Sequence, residues 1–233
     1  MQQIPDSRTP APRGSSRSEL LILSGLSFVV FLYFMLTAVY SGYGYFIDEL
    51  YYIACSKRLA LGYVDQPPLS VALLALSRWV FGDSLPAVRI LPSLAIAGSV
   101  FLTGAMALRL GGNRQALIIA ALGTIAVPIY LVMGSFYSMN VFEILVWTAI
   151  LYFLIRLVQT GEPKYWLAIG VLIGLGLELK HTSALYAFAI IVGRIIHVSL
   201  YPAFAVILVA DREEVQAGRI EGDSGIDAGH DHF

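Results

Sequence analysis

The sequence predicts an all-α polytopic membrane protein: a bundle of transmembrane helices, with interfacial helices in the first periplasmic loop. Of the 233 residues, 58% are hydrophobic and only 13% are charged, whereas a soluble domain carries about 25% charged residues. Uncharged apolar stretches of about 20 residues, the length that crosses a bilayer, recur along the chain. The net charge of −1 provides no basic surface for nucleic acid. We therefore expect membrane lipids, and no nucleic acid, among its partners.

Residues 1–18 form a polar, proline-containing segment that we expect to be a disordered cytoplasmic tail. It contains Arg8, Arg13 and Arg17, and an uncharged apolar stretch follows at 20–40. Because positive residues that flank a span tend to stay in the cytoplasm, the N-terminus is predicted to lie there. The apolar stretch is longer than that of a signal peptide, so it is predicted to be an uncleaved first span.

Residues 41–85 are predicted to be the first periplasmic loop. Two helical patterns, 49–61 and 67–81, predict short helices that lie along the membrane interface, and Pro67 and Pro68 suit the start of the second one. Trp79 and several tyrosines suit the depth of the lipid headgroups. The single cysteine, Cys55, also lies in this loop, so no intrachain disulfide can form.

Five further spans complete a transmembrane module over residues 19–200, with about six spans in all. They are predicted at 86–108, 115–133, 141–158, 166–179 and 183–196, and Pro128 is expected to kink the second of these five. The Lys and Arg residues in the inner turns agree with this alternation. Residues 201–233 are predicted to be a divergent polar tail without fixed structure.

The alternation places polar side chains from several helices at one outer face. Such residues are costly in a membrane protein and mark functional sites. Carboxylates can accept a proton from a nucleophile, and cations can stabilise a developing negative charge. We predict that Asp48 and Glu49 are catalytic. We predict that a second group binds substrate: Lys57, Arg58, Asp65, Gln66, Arg89, Asn140, Glu143, Lys180 and His181.

Four short segments resemble a known family. They read GYFIDELYY at 44–52, GYVDQPPL at 62–69, FGDS at 81–84 and VRILP at 88–92. Together they resemble the start of the protein O-mannosyltransferase and aminoarabinose (lipid A) transferase superfamily, the GT-C fold glycosyltransferases. The resemblance runs from about residue 34 to residue 193. It is carried mainly by the Asp-Glu pair and the Pro-Pro loop at this distance from each other.

The resemblance implies an inverting transfer from a polyprenyl-phosphate sugar to a lipid, glycan or protein acceptor, on the periplasmic side of a bacterial inner membrane. It implies that Asp48 is the catalytic base and that Asp65 can bind a divalent metal (Mg, Mn or Zn), and it matches Lys180 to a basic residue of the family. Two positions depart from the pattern. Gln66 replaces a lysine of the aminoarabinose branch, and Asn140 replaces an aspartate, so that Glu143 would have to serve if a second carboxylate is needed.

Two alternatives to an active transferase remain open at this point. Members of the superfamily are roughly twice as long, so we expect this chain to be a truncated N-terminal portion, which allows an inactive membrane fragment. A subunit of a membrane transporter or flippase is the other alternative. That function predicts broken helices with charges near the middle of the membrane, whereas the charges here are predicted to cluster at one face.

Overall fold

The computed structural model describes residues 16–193, and within that range the chain is helical and contains no strand. The helices, in chain order, are α1 Arg17–Tyr40, α2 Ile47–Ser56, α3 Leu69–Phe81, α4 Leu85–Arg109, α5 Arg114–Ala126, α6 Pro128–Gly134, α7 Met139–Thr160, α8 Lys164–Leu179 and α9 Ser183–Gly193. This architecture confirms the predicted class of polytopic helical membrane protein. Most of the predicted tail at 1–18 and all of the tail at 201–233 lie outside the described residues.

Helix α1 begins three residues before the predicted first span because the sequence supplies a capping box. The Ser16 side chain accepts a hydrogen bond from the Glu19 backbone N–H at 3.2 Å, and the Glu19 carboxylate accepts one from the Ser16 N–H at 2.8 Å. Together these two bonds satisfy backbone donors that a helix start would otherwise leave unpaired. The helix then runs without a break to Tyr40.

The two predicted interfacial helices are present, but the first is shorter than predicted. Helix α2 ends at Ser56 instead of residue 61. The chain turns there because the Tyr63 hydroxyl accepts a hydrogen bond from the Ala60 N–H at 3.1 Å and donates one to the Arg58 carbonyl at 3.1 Å. Helix α3 begins directly after Pro68, which is its N-cap, as the double proline predicts.

The segment predicted as a span at 115–133 is divided into two helices. Helices α5 and α6 are bent by 68° relative to each other, at Val127 and Pro128. Proline has no N–H to donate and its ring crowds the preceding turn, so a helix interrupted at this residue is the expected result. The kink that the sequence predicts at Pro128 is therefore present.

Three helices of the described range are long and apolar enough to cross a membrane: α1, α4 and α7. The bent pair α5 and α6 raises the number to four. The last two predicted spans correspond to shorter helices, α8 with 16 residues and α9, which is described as far as Gly193. The sequence therefore predicts the positions of these helices, and the number of about six spans stays a prediction.

Helix α4 is the centre of the bundle, and it packs against α1, α5 and α7. At one end of this contact, Leu23 of α1, Leu108 of α4 and Leu117 of α5 form a buried apolar cluster. Helix α6 approaches α1 closely at Gly134, where a Cβ atom would lie 2.4 Å from the buried Phe34 ring. Glycine at that position lets the two backbones come together.

The bundle has two ends, and most of the polar contacts discussed below lie at one of them. One end, which we call the site end, contains the first loop with α2 and α3, the turn 135–138 and the turn 180–182. Hydrogen bonds such as those of Glu49 with the Tyr137 amide and of Lys180 with Asn140 hold these segments together. The turns 110–113 and 161–163 meet at the opposite end, where the Gln159 side chain donates to the Arg109 carbonyl at 2.5 Å. The chain divides into two compact units, Met1–Ala184 and Leu185–Phe233, and the site lies in the first.

Candidate active site

Glu49, in the first turn of α2, is completely buried and fully hydrogen-bonded. Its Oε1 accepts from Arg89 Nε at 2.9 Å and from the Tyr137 backbone N–H at 3.0 Å. Its Oε2 accepts from Arg89 Nη2 and from the Phe46 N–H, both at 2.8 Å. A carboxylate has about four acceptor positions, so four protein donors leave Glu49 none for a substrate. The geometry therefore differs from the prediction that Glu49 is catalytic.

Arg89, the partner of Glu49, enters the site from the second turn of α4. It is 6% exposed, and its Nη2 also donates to the Gly44 carbonyl at 2.9 Å. The charge of Arg89 is balanced by Glu49, so the side chain is not a free cation as the sequence suggests. Instead, one ion pair joins the first loop, α2, α4 and the turn before α7.

Asp48, next to Glu49 in the sequence, has the opposite environment. Successive residues on a helix point about 100° apart, so when Glu49 faces inward Asp48 faces out, and it is exposed. It forms no hydrogen bond or ion pair with any residue between 16 and 193. Its position in the first turn of α2 is where the helix dipole favours a negative charge.

Asp65, in the loop before the double proline, accepts a hydrogen bond from the Tyr51 hydroxyl at 2.5 Å. This bond raises the pKa of Tyr51 well above that of an ordinary tyrosine, since loss of the proton would place two negative charges side by side. Tyr51 is three residues after Asp48, so both lie on one side of α2. The Tyr51–Asp65 hydrogen bond therefore holds the Pro-Pro loop close to Asp48.

The residues of the described range do not fit the divalent metal that the resemblance implies for Asp65. No group of three His, Cys, Asp or Glu side chains comes together anywhere between residues 16 and 193. One oxygen of Asp65 is already bonded to Tyr51. A single carboxylate falls short of the ligand set that a hard divalent cation needs, so no chemical step is assigned to a metal.

Lys180, Asn140 and Glu143 are brought together by the start of α7 and the end of α8. Lys180 Nζ lies 2.8 Å from Asn140 Oδ1 and 3.3 Å from Glu143 Oε2. Thr182 donates a short hydrogen bond to Glu143 Oε1. The Lys180 side chain keeps 32% exposure and Glu143 is nearly buried at 8%. Of this cluster, Glu143 is the buried member, whereas Lys180, Asn140 and Thr182 are partly exposed.

Three more residues that the sequence predicts to bind substrate are exposed at the site end: Lys57 and Arg58 after α2, and His181 after α8. None of the three forms a side-chain hydrogen bond or ion pair with another residue of the described range. Unlike Arg89, these groups are available to an anion.

Two of the cavities that are lined by residues between 16 and 193 open at the site end. The first, which we call the loop cavity, has a volume of about 350 Å³ and lies between the loop 61–68 and the end of α8, with Asp65, Gln66, Glu178 and His181 in its wall. The second, the aromatic cavity, has a volume of about 390 Å³ and includes Tyr43, Tyr45, Phe46, Arg89 and Phe136. Helix α2, which carries Asp48, connects the two: Phe46 precedes it, and Tyr51 binds Asp65.

A family model matches a large part of this sequence. The family model described as dolichyl-phosphate-mannose-protein mannosyltransferase matches residues 65–210, which is more than half of the chain. The chain belongs to this family. Membership in this mannosyltransferase family implies a membrane glycosyltransferase that uses a lipid-linked sugar donor and an acceptor. No curated protein and no solved structure matches the chain.

The extent of the mannosyltransferase match differs from the predicted one of about 34–193. It begins at Asp65, so it includes the Pro-Pro loop, Arg89 and the Lys180 cluster, but not Asp48 or Glu49. It also continues to residue 210, beyond the described range. The role of Asp48 therefore depends on its geometry and on the sequence resemblance, and not on the matched region.

Several residues that build the site of this family member could not be identified from the sequence. Tyr137, in an apparently featureless turn, is fully buried, and its hydroxyl donates to the Ser70 carbonyl at 2.6 Å. The Tyr52 hydroxyl accepts from the Met139 N–H at 3.0 Å, and burial raises the pKa of Tyr52 to about 12. Tyrosines in a membrane protein resemble interfacial belt residues, so nothing in the sequence separates these two from the others.

Arg78 of α3 was also missed, and it ties α3 to α2. Its Nη1 donates to Ser56 Oγ at 2.6 Å and its Nε pairs with Asp83 at 2.6 Å. The neighbouring Arg78 guanidinium lowers the pKa of the Asp83 carboxyl. A weak signal was present, because Arg78 and Asp83 are opposite charges on either side of a helix end. The hydrogen bond from Arg78 to Ser56 of α2, in contrast, could not be predicted from the sequence.

Proposed function

We propose that this chain transfers a sugar, with inversion, from a polyprenyl-phosphate donor to an acceptor hydroxyl or amine at the site end. We also propose that the site end faces the periplasm of a bacterial inner membrane. We propose Asp48 as the base. One observation carries the assignment: Asp48 is exposed without a partner in the described range, while the adjacent Glu49 is buried and fully bonded. Family membership supports the reaction class.

In this mechanism Asp48 accepts the proton of the acceptor as it attacks. The acceptor oxygen or nitrogen forms a bond to the anomeric carbon of the sugar, and the bond from that carbon to the phosphate oxygen breaks. The bonding electrons leave with the phosphate, and attack from the opposite face inverts the configuration. General-base catalysis of this kind contributes about 10²- to 10⁴-fold to the rate.

Glu49 serves in this proposal as a positioning residue. Its ion pair with Arg89 and its bonds to the Tyr137 and Phe46 amides hold the first turn of α2 in place. A base held on a rigid helix is kept at the distance from the nucleophile that proton transfer requires. In this proposal Asp48 accepts the proton, and Glu49 holds the helix turn that carries Asp48.

The negative charge that develops on the departing phosphate requires cations. Lys57, Arg58, Lys180 and His181 are the candidates that a substrate can reach at the site end. Arg89 lies in the wall of the aromatic cavity, but Glu49 balances its charge. Fixed positive groups of this kind lower the energy of a transition state in which an anion forms.

The test compares Asp48→Asn with the unchanged full chain in proteoliposomes that contain a polyprenyl-phosphate sugar. We expect donor consumption to fall about 100-fold or more, since asparagine cannot accept the proton. Glu162→Gln, an equivalent change of a carboxylate at the opposite end, should have no effect. Full activity of Asp48→Asn would refute the assignment. An unchanged chain that consumes no donor would favour the inactive fragment, and donor movement across the bilayer without consumption would favour the flippase.

A further inference from the structure

The loop cavity contains a polar group whose hydrogen-bonding capacity is not used. Gln66 is only 5% exposed, and its Nε2 atom is buried with no hydrogen-bond partner in the described range. A buried amide donor left without a partner is unfavourable, because it has lost its hydrogen bonds to water and gained none in return. Gln66 is also part of the cavity wall. The Nε2 atom itself has almost no accessible surface, so a ligand in the cavity reaches it when the Gln66 side chain turns toward the cavity. A ligand atom that accepts a hydrogen bond would then supply the missing partner, so the amide points to a binding site.

The charges around the cavity restrict the ligand. Two carboxylates, Asp65 and Glu178, face it, together with His181. Even with the imidazole protonated, the sum of these charges is negative. A phosphate would be repelled, whereas hydroxyl groups can donate hydrogen bonds to both carboxylates. Of the four proposed cations for phosphate, His181 is in the cavity wall, whereas Lys57, Arg58 and Lys180 are not.

The apolar part of the wall fits the aliphatic face of a ring. Tyr63, Pro67 and Pro68 form one side. The Tyr63 hydroxyl is held by its bonds to the Ala60 amide and the Arg58 carbonyl, so the position of its ring is fixed. A volume of about 350 Å³ is at the small end of the range for small-molecule sites, about 300–1,000 Å³, which suits a sugar unit and excludes a polyprenyl chain.

We propose that the loop cavity binds an uncharged, hydroxyl-rich sugar ring, with the Gln66 amide donating to a ring or hydroxyl oxygen and Asp65 and Glu178 accepting from sugar hydroxyls. The identification of this ring as part of a donor or acceptor for glycosyl transfer depends on the proposed function. The binding itself does not. The amide at position 66 then selects sugar over phosphate at this cavity.

Binding is measured on the purified full chain in detergent, by saturation-transfer NMR with methyl glycosides of mannose, glucose and galactose, and separately with inorganic phosphate. We expect saturable binding of at least one glycoside. Gln66→Leu should weaken it about tenfold, the effect of losing one well-placed hydrogen bond at a buried site. Gln115→Leu, the same substitution at an exposed position on α5, should leave the affinity unchanged.

Gln66→Glu provides a second variant if Gln66→Leu does not fold, because it keeps the size and shape of the side chain. It should also weaken glycoside binding, since a third carboxylate cannot donate. Gln66→Lys should weaken glycoside binding and create phosphate binding. The proposal is overturned if no glycoside binds, if Gln66 variants that fold bind as well as the unchanged chain, or if phosphate binds the unchanged chain and displaces the glycoside.

Asp48→Asn separates this proposal from the proposed function. We expect this variant to bind the glycoside normally while it loses transfer. Normal transfer by Asp48→Asn together with Gln66-dependent sugar binding would refute the base and leave the sugar site standing. Loss of transfer in Asp48→Asn with sugar binding that is indifferent to Gln66 would refute the sugar site alone.

Discussion

Two adjacent acidic residues in the first turn of α2 have opposite surroundings, and the difference arises from the geometry of a helix. Glu49 points into the bundle, where it is 0% exposed, and Asp48 points away from it. The inward carboxylate is tolerated because Arg89 and two backbone amides satisfy it. A buried charge is stable only when it is paired and fully hydrogen-bonded. A neutral side chain at position 49 would therefore leave the buried charge of Arg89 without its counter-ion.

We predict that Glu49→Gln destabilises the protein by about 3–5 kcal/mol, the cost of breaking a buried ion pair from one side. Unfolding in mixed micelles of mild detergent and SDS measures this change. Asp83→Asn breaks the Arg78 pair, whose carboxylate is 73% exposed, and should produce little change because water screens exposed pairs. Equal stability of Glu49→Gln and the unchanged chain would show that Glu49 does not anchor α2.

At the scale of the helices, the break between α5 and α6 determines how α6 meets α1. The bend of 68° follows Val127, and it lets the end of α6 approach the Phe34 ring. The ring is almost completely buried, at 2% exposure, so it has little space in which to move. The contact depends on the absence of a side chain at Gly134.

We predict that Gly134→Ala destabilises the bundle by about 1–3 kcal/mol, because the added methyl group overpacks a filled contact. Gly123→Ala is the matched control within α5, where a Cβ would meet nothing within 4 Å. That change should stabilise the helix by about 0.5–1 kcal/mol, since glycine weakens helix interiors. The same SDS titration measures both. A Gly134→Ala protein as stable as Gly123→Ala would rule out the close approach.

At the scale of the whole molecule, the site is built from segments that are far apart in the sequence. Glu49 and the Tyr137 amide are joined across 88 positions, and Lys180 and Asn140 across 40. Because the long helices alternate in direction, these segments return to the same end of the bundle. The proposed function requires that end to face the periplasm.

We predict that cysteine labelling from outside distinguishes the two ends. In a Cys55→Ser background, Val64→Cys, at a fully exposed position of the site end, should react with a membrane-impermeant maleimide in spheroplasts. Glu162→Cys, at the opposite end, should react only after the membrane is permeabilised. The reverse pattern would place the site end in the cytoplasm and would refute the proposed periplasmic reaction.

Composition and hydropathy were sufficient to predict a helical membrane protein, because the length and apolarity of a span are set by the bilayer and are visible in one dimension. The Pro128 kink and the short helices of the first loop were predictable for a similar local reason. The family could be suggested from the GYFIDELYY and GYVDQPPL segments, although the matched region begins only at Asp65.

The tertiary structure decided which of the acidic and basic residues are engaged with each other. The sequence predicted that Asp48 and Glu49 are both catalytic and that Arg89 binds substrate, whereas Glu49 and Arg89 neutralise each other in the core. The sequence also did not indicate that Tyr137 is buried or that the amide of Gln66 is unpaired within the described residues. Burial and partner choice depend on contacts between distant segments, and a hydropathy pattern contains no information about which distant side chains meet.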